Sequence, residues 1–521
     1  MRRVLSFAAA FVLALAGIAI PGASSAGASG DEAATAAYLA SIRGVPDKLQ
    51  AFITALPKGA DLHNHASGAV YAENYLAWAR QDDGCYDPAT LALSEPPCAA
   101  GTQPIAQGIA RQPDFAKDVV AALSMANFAP TGPRAGHDHF FATFGKFGDI
   151  GSMHRSAVVA AATVDAARQH VDVLELMTST GGPAVAALTQ RFAPSFSAAD
   201  FDANARALDA AGFAVAVAAA KRELRDVEAG RLEMLGCGAA SAPPSPACSV
   251  AVLYQFTVNR TAKAASVFAQ ARVAFAVAAD PSTGVAGINF VAPEDDRVAV
   301  ADYALHMRMV AYLHRAYPTV HISLHAGELT PLLVQPDALR DHIRQAVEVA
   351  GAERIGHGVD VLGETNAEAL LAEMKAKQTL VEIALTSNDV ILGVRGAAHP
   401  LQAYLAHGVP AAIVTDDAGV SRIDLSAEFL RAQTTYGFDY GTLKRLVRNS
   451  VEFAFLPGRS LWTDRTYARP VAPCAAARAG GAADAACGAY LNANARAAAE
   501  FRLESEFAGF EAQTARASRT L

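Results

Sequence analysis

Residues 302–350 read DYALHMRMVAYLHRAYPTVHISLHAGELTPLLVQPDALRDHIRQAVEVA. Apolar positions recur at three- and four-residue spacing from Asp302 to Arg315 and from Ala338 to Ala350, which predicts a helix over each stretch. Between them the β-branched run Val320–Ala326 predicts a buried strand that ends on His325-Ala326-Gly327-Glu328. Working outward, seven more short runs have the same character: Ala60–His65, Val171–Met177, Val250–Val258, Val285–Val291, Arg354–Gly358, Leu380–Leu385 and Ala411–Thr415. Ala-rich helical segments separate them. Eight strands alternating with helices predict an α/β protein built on a TIM-type (β/α)8 barrel.

The spacing departs from a minimal barrel in two places. Residues 81–151 and 192–249 are too long for simple connections and read as insertions after strands one and two. Ahead of the barrel, residues 27–56 predict a helical amino-terminal extension, which offers a face for a homodimer contact. The barrel spans 57–424, and residues 425–521 predict a helical carboxy-terminal region that completes it, including the Ala-rich tail Ala475–Ala499.

Composition narrows the classes. The chain has 521 residues, 52% hydrophobic and 18% charged, with a formal charge of −8 and no long basic run, so an electrostatic nucleic-acid binder is excluded. Arg2-Arg3, the apolar stretch Val4–Ile20, and the small-residue run after Pro21-Gly22 have the layout of a signal peptide over residues 1–26. A protein exported to the periplasm or medium is expected, with no membrane span left after cleavage. The six cysteines fall into close pairs, and short-range closure as Cys85–Cys98, Cys237–Cys248 and Cys474–Cys487 is the simplest of 15 connectivities in an oxidising compartment.

The chemistry gathers at strand ends, which converge on one face of a parallel barrel. His63 and His65 end strand one and, being two apart, project to the same side. His325 and Glu328 end strand five, His357 strand six, and Asp416-Asp417 strand eight. Alone, a His-x-His pair is often surface histidine, and a lone carboxylate often caps a helix. Four strand ends supplying nitrogen and carboxylate donors to one place point instead to a metal site. His306 and His314 on a predicted helix, and His137, His139 and His154 in the first insertion and its flank, lack that placement and suit core or surface roles.

Asp61-Leu62-His63-Asn64-His65-Ala66-Ser67-Gly68, Ser323-Leu324-His325-Ala326-Gly327-Glu328, Arg354-Ile355-Gly356-His357-Gly358, Thr386-Ser387-Asn388 and Thr415-Asp416-Asp417 together resemble the adenosine deaminase branch of the metal-dependent amidohydrolases. The resemblance runs from about Pro57 to Phe455 and is nearest to the exported, disulfide-containing type called adenosine deaminase growth factors. It implies one Zn²⁺ per chain held by His63, His65, His325 and Asp416, and hydroxide attack on C6 of a purine nucleoside such as adenosine or 2′-deoxyadenosine, giving inosine and ammonia. Glu328 would then donate a proton to ring N1, Asp417 would orient the nucleophile and contact the base, and His357 would act as base or electrostatic support.

Two positions depart from that pattern. Ser67 stands where intracellular relatives carry a ribose-binding Asp, and Ala292 where they carry a glycine whose backbone N–H meets the purine. The same metal chemistry on a modified adenosine, an adenine nucleotide or another cyclic amidine is the alternative enzyme reading. An extracellular interaction protein on a deaminase scaffold is the non-enzymatic one.

Overall fold

Burial runs unbroken along two of the strands up to their last residue, β1 (Gly59–His65) and β2 (Val171–Thr178). Strands covered on both faces belong to a parallel sheet with helices outside. The computed structural model, which describes residues 30–238, 245–477 and 480–519, shows that sheet. It continues with β3 (Ala251–Asn259), β4 (Val285–Val291), β5 (His321–Ala326), β6 (Arg354–His357), β7 (Leu380–Ile383) and β8 (Ala411–Ile413), all parallel and in chain order. The ring closes at its carboxyl end, where Asn64 bridges Asp416 and the Asp416 N–H donates to the His63 carbonyl at 2.8 Å. This is the TIM barrel expected from the strand count. The expected signal peptide lies outside the described residues.

The barrel interior is polar where aliphatic layers are usual. Glu175, Gln255, Asn289, Ser323, Arg354 and Glu382, one each from β2 to β7, are all 0% exposed. Arg354 lies 2.6 Å from Glu175 and 2.7 Å from Glu382. Gln255 donates to Glu175 at 3.0 Å and Asn289 donates to Gln255 at 3.1 Å. Ser323 donates to Glu382 at 3.0 Å. Phe455 covers the other end, its ring 3.7 Å from the Arg354 guanidinium. Such a layer is tolerated because its groups satisfy one another, and removing one charge would strand its partner in a dry interior.

Both insertions form secondary structure among the described residues. Between β1 and β2, Cys85–Tyr86 pairs antiparallel with Leu93–Ser94 and Gln103–Pro104, and the helices Ile105–Arg111, Phe115–Ala122 and Ala135–Met153 follow. Between β2 and β3 come Phe201–Ala210 and Phe213–Leu235. The disulfides are Cys85–Cys98, Cys237–Cys248 and Cys474–Cys487, as spacing suggested. The amino-terminal helix Gly30–Ile42 packs on this chain's own last helix, Ala495–Ser518, and Pro46–Ala55 packs on Leu425–Tyr436, with Phe52 edge-on to Phe510 at 5.0 Å.

Two helix expectations are corrected in extent. Among its described residues the Ala-rich tail is helical in Ala485–Ala493 and from Ala495 onward, and the Asp484 side chain caps the first of these helices. The stretch Ala338–Ala350 is α-helical over His342–Glu348 alone, because the Glu364 carboxylate accepts the Ile343 and Arg344 N–H groups and fixes the start there.

Candidate active site

Three of the four candidate ligands are aimed by a partner from another element. His63 directs Nδ1 to Glu382 at 2.7 Å and His325 directs Nδ1 to Asn289 Oδ1 at 2.8 Å, so each ring's Nε2 lone pair faces the barrel mouth. Ser387 donates to Asp416 Oδ2 at 2.6 Å, which leaves Oδ1 for the same point. There His65 Nε2 lies 3.2 Å from both Asp416 Oδ1 and His325 Nε2, and His63 Nε2 lies 3.5 Å from Asp416 Oδ1. One ligand atom from each of the four residues falls within 4.8 Å of the others. The structure brings these four residues to one place.

The residues fit a cation. His63 Nε2 and Asp416 Oδ1 are buried without a hydrogen-bond partner. Burial would depress the His63 pKa, yet hydrogen bonds to Asp416 and Glu382 hold it at about 10. A ring flanked by two carboxylates favours positive charge, and a metal ion at Nε2 supplies it in place of a proton. The structure thus places a His/Asp set able to hold a metal ion at the mouth of a parallel eight-stranded barrel.

Glu328 is 6% exposed, and its Oε1, without a hydrogen-bond partner, lies 3.6 Å from His357 Nε2. Burial first and the Asp416 carboxylate second hold its carboxyl well above the usual carboxylate range. Asp417 is raised by the same two causes in the same order. Its buried Oδ1 sits where a Cβ on Gly68 would lie 1.5 Å away, so only glycine fits at 68.

His357 has its proton placed by a chain of donors. The Leu401 backbone N–H donates to His399 Nδ1 at 3.1 Å, so His399 carries its proton on Nε2 and gives it to Asn388 Oδ1 at 3.0 Å. The Asn388 amide then donates to His357 Nδ1 at 3.0 Å. His357 therefore presents an Nε2–H to the site, and burial pushes its pKa down to about 3, leaving it neutral. Of the two roles considered for it, base and electrostatic support, this geometry suits the second.

These groups floor a cavity of about 570 Å³ whose walls include Ser67 and Ala292. Ala292 has φ +80, His357 +69 and Asp416 +60, so three strand-end residues adopt the left-handed backbone that favours glycine. Phe140, Phe141, Phe144 and Phe147 of the first insertion form the roof, and Leu224 and Val227 of the second line a side. Sequence reading passed over Asn289, Glu382 and His399; a lone Glu in the buried run Leu380–Ile383 was the one available signal. His137, assigned to core or surface, joins the roof helix to the loop after β4, with Nε2 2.9 Å from Asp295.

Comparison with known proteins adds to this geometry. Residues 236–461 match the adenosine deaminase family model, a span that holds His325, Glu328, His357, Asp416 and Asp417. An adenosine deaminase from Escherichia coli (strain SE11) is 39% identical over 137 residues, 26% of this chain and 38% of that protein, so the alignment spans well under half of the relative. In structure, the N6-methyl-AMP deaminase from Arabidopsis thaliana superposes with a TM-score of 0.50 at 19% identity, over 78% of this chain and 94% of that one. At such identity the likeness concerns the fold.

Proposed function

We propose that this chain is a member of the adenosine deaminase family, whose model matches residues 236–461, and that it hydrolyses the exocyclic amino group of an adenine nucleoside, adenosine first, releasing ammonia and leaving inosine. The observation that carries this reading is the convergence of His63, His65, His325 and Asp416 beside a proton-holding Glu328 at the base of a nucleoside-sized cavity.

Three imidazoles and one carboxylate suit Zn²⁺, one ion per chain. When bound, the ion supplies the acidity that makes water nucleophilic at neutral pH. The remaining work falls to side chains. Glu328, protonated in its buried setting, gives its proton to ring N1 as water adds at C6, and the amino group leaves as ammonia. Asp417 receives hydrogen bonds from water and base, and the His357 Nε2–H stabilises negative charge developing on the incoming oxygen. Ser67 would meet a sugar hydroxyl and the Ala292 N–H the purine edge, a reading supported by both residues lining the cavity.

A nucleoside is favoured over a nucleotide by charge. Among the described lining residues Arg155 is the one Lys or Arg, and it is engaged by Glu223 at 3.1 Å and the Ser179 carbonyl at 2.8 Å. Three disulfides fit an oxidising compartment, which supports export.

The test is the ultraviolet change and ammonia release of the zinc-loaded protein with adenosine, 2′-deoxyadenosine and AMP. Adenosine should be converted, and Glu328→Gln should lower kcat by about 10²–10⁴-fold while zinc content and thermal stability hold. Zinc-loaded protein that leaves every nucleoside intact would refute the substrate class.

A further inference from the structure

The roof helix Ala135–Met153 sets Phe140, Phe144 and Phe147 along one face toward the cavity, with Phe141 beside them. Its far end is well tied down. His154 meets Asp82 at 2.5 Å and stacks on Trp78, and Phe147 stacks on Tyr75 at 4.6 Å. The near end is held by His139, whose Nε2–H donates to the Ser124 carbonyl at 2.9 Å and whose ring stacks on Phe128, by Gly136 against Val390, and by Asp295, three residues beyond Ala292 in the loop after β4. Asp295 Oδ1 lies 2.9 Å from His137 Nε2 and Oδ2 lies 3.2 Å from Arg134. The Asp295 and His137 side chains are 8% and 9% exposed. The same loop forms cavity wall at Ala292 and Pro293, with the Ala292 carbonyl held by Arg260 at 2.7 Å.

Resting on the deaminase reading, we propose that Asp295 is a positioning residue: through His137 and Arg134 it latches the near end of the aromatic roof to the loop that forms the purine side of the cavity. Substrate retention, and not the chemical step, is what the latch controls. Its ion pair needs His137 in the charged form. The ring nitrogens meet carboxylates on both sides, Asp295 at Nε2 and Asp138 at Nδ1, each at 2.9 Å, so a neutral ring would aim a lone pair at one of them. Burial lowers the His137 pKa and Arg134 opposes the charge, yet the hydrogen bonds to Asp295 and Asp138 leave it raised. From the helix Leu385–Leu392, whose Val390 carbonyl packs against Gly136, the charged group is Asp389, which Arg431 engages. Phe141 meets the ring edge-on at 4.9 Å. The pair thus holds at and below neutral pH and weakens as pH rises through the raised value.

The experiment compares zinc-loaded wild-type protein with Asp295→Asn and His137→Gln by steady-state kinetics on adenosine across pH and by hydrogen exchange of the roof helix. Both variants should raise KM about three- to tenfold with kcat within about twofold. Exchange should quicken in the first turns of Ala135–Met153 and not in the barrel strands, with zinc unchanged. Wild-type KM should climb on the alkaline side of the histidine range, and the Asp295→Asn profile should be flat there. Unchanged KM and roof exchange in His137→Gln, which keeps a polar side chain, would overturn the latch even if Asp295→Asn fails to fold; so would a fall in kcat alone. If the wild type converts no adenine nucleoside, the deaminase reading fails, and the exchange measurement still decides the latch.

Discussion

The floor of the cavity and its roof are held in different ways. On the floor, His63, His325, Glu328, His357, Asp416 and Asp417 are each at most 6% exposed. Four of them are fixed by partners from other strands or from the segments after them: Glu382, Asn289, Asn388 and Ser387. The roof is one helix of an insertion, tied at its far end by stacked rings and at its near end by a charged cluster, by His139 on Ser124 and Phe128, and by Gly136 against Val390. The floor can therefore hold atoms to the tolerance that proton transfer and metal binding need, while the roof can yield to admit a substrate.

Three changes would break or sharpen that contrast. The largest effect should follow from the floor itself: His325→Ala should take zinc from about one per chain to near none and abolish turnover, by metal analysis and by assay with and without added zinc. Glu382→Gln leaves every ligand in place but removes the charge behind His63 and one of the two carboxylates facing the buried Arg354; zinc affinity should fall by about 10–100-fold in a chelator competition, with lower thermal stability. Unchanged affinity would mean that the floor is less interlocked than described. The smallest effect belongs to the rim, where Glu223→Gln should free Arg155 and raise the AMP-to-adenosine ratio of kcat/KM by only about two- to fivefold, because the pair is about one-third exposed. A fall in that ratio would remove the charge argument for a nucleoside.

The strands were legible because a buried parallel strand writes itself as a short apolar run, and the ligands because donors at strand ends stand out against it. The polar barrel layer was not, since Glu175, Gln255 and Asn289 each look like an isolated polar residue in an apolar run. Nor was the roof. Phe140, Phe141, Phe144 and Phe147 share the pattern of any amphipathic helix, and nothing local says that the face they cover is a cavity.

What the sequence determined by itself is the set of elements and the kinds of donor at their ends, because periodicity and turn chemistry act over a few residues and barrel topology then carries the ends to one face. Tertiary structure alone decided which nitrogen of each histidine is free, which carboxyl keeps its proton, and what lies above the site. Those properties depend on pairs far apart in the chain, such as His63 with Glu382 across 319 residues and His137 with Asp295 across 158, and on a burial that exists only once the barrel has closed.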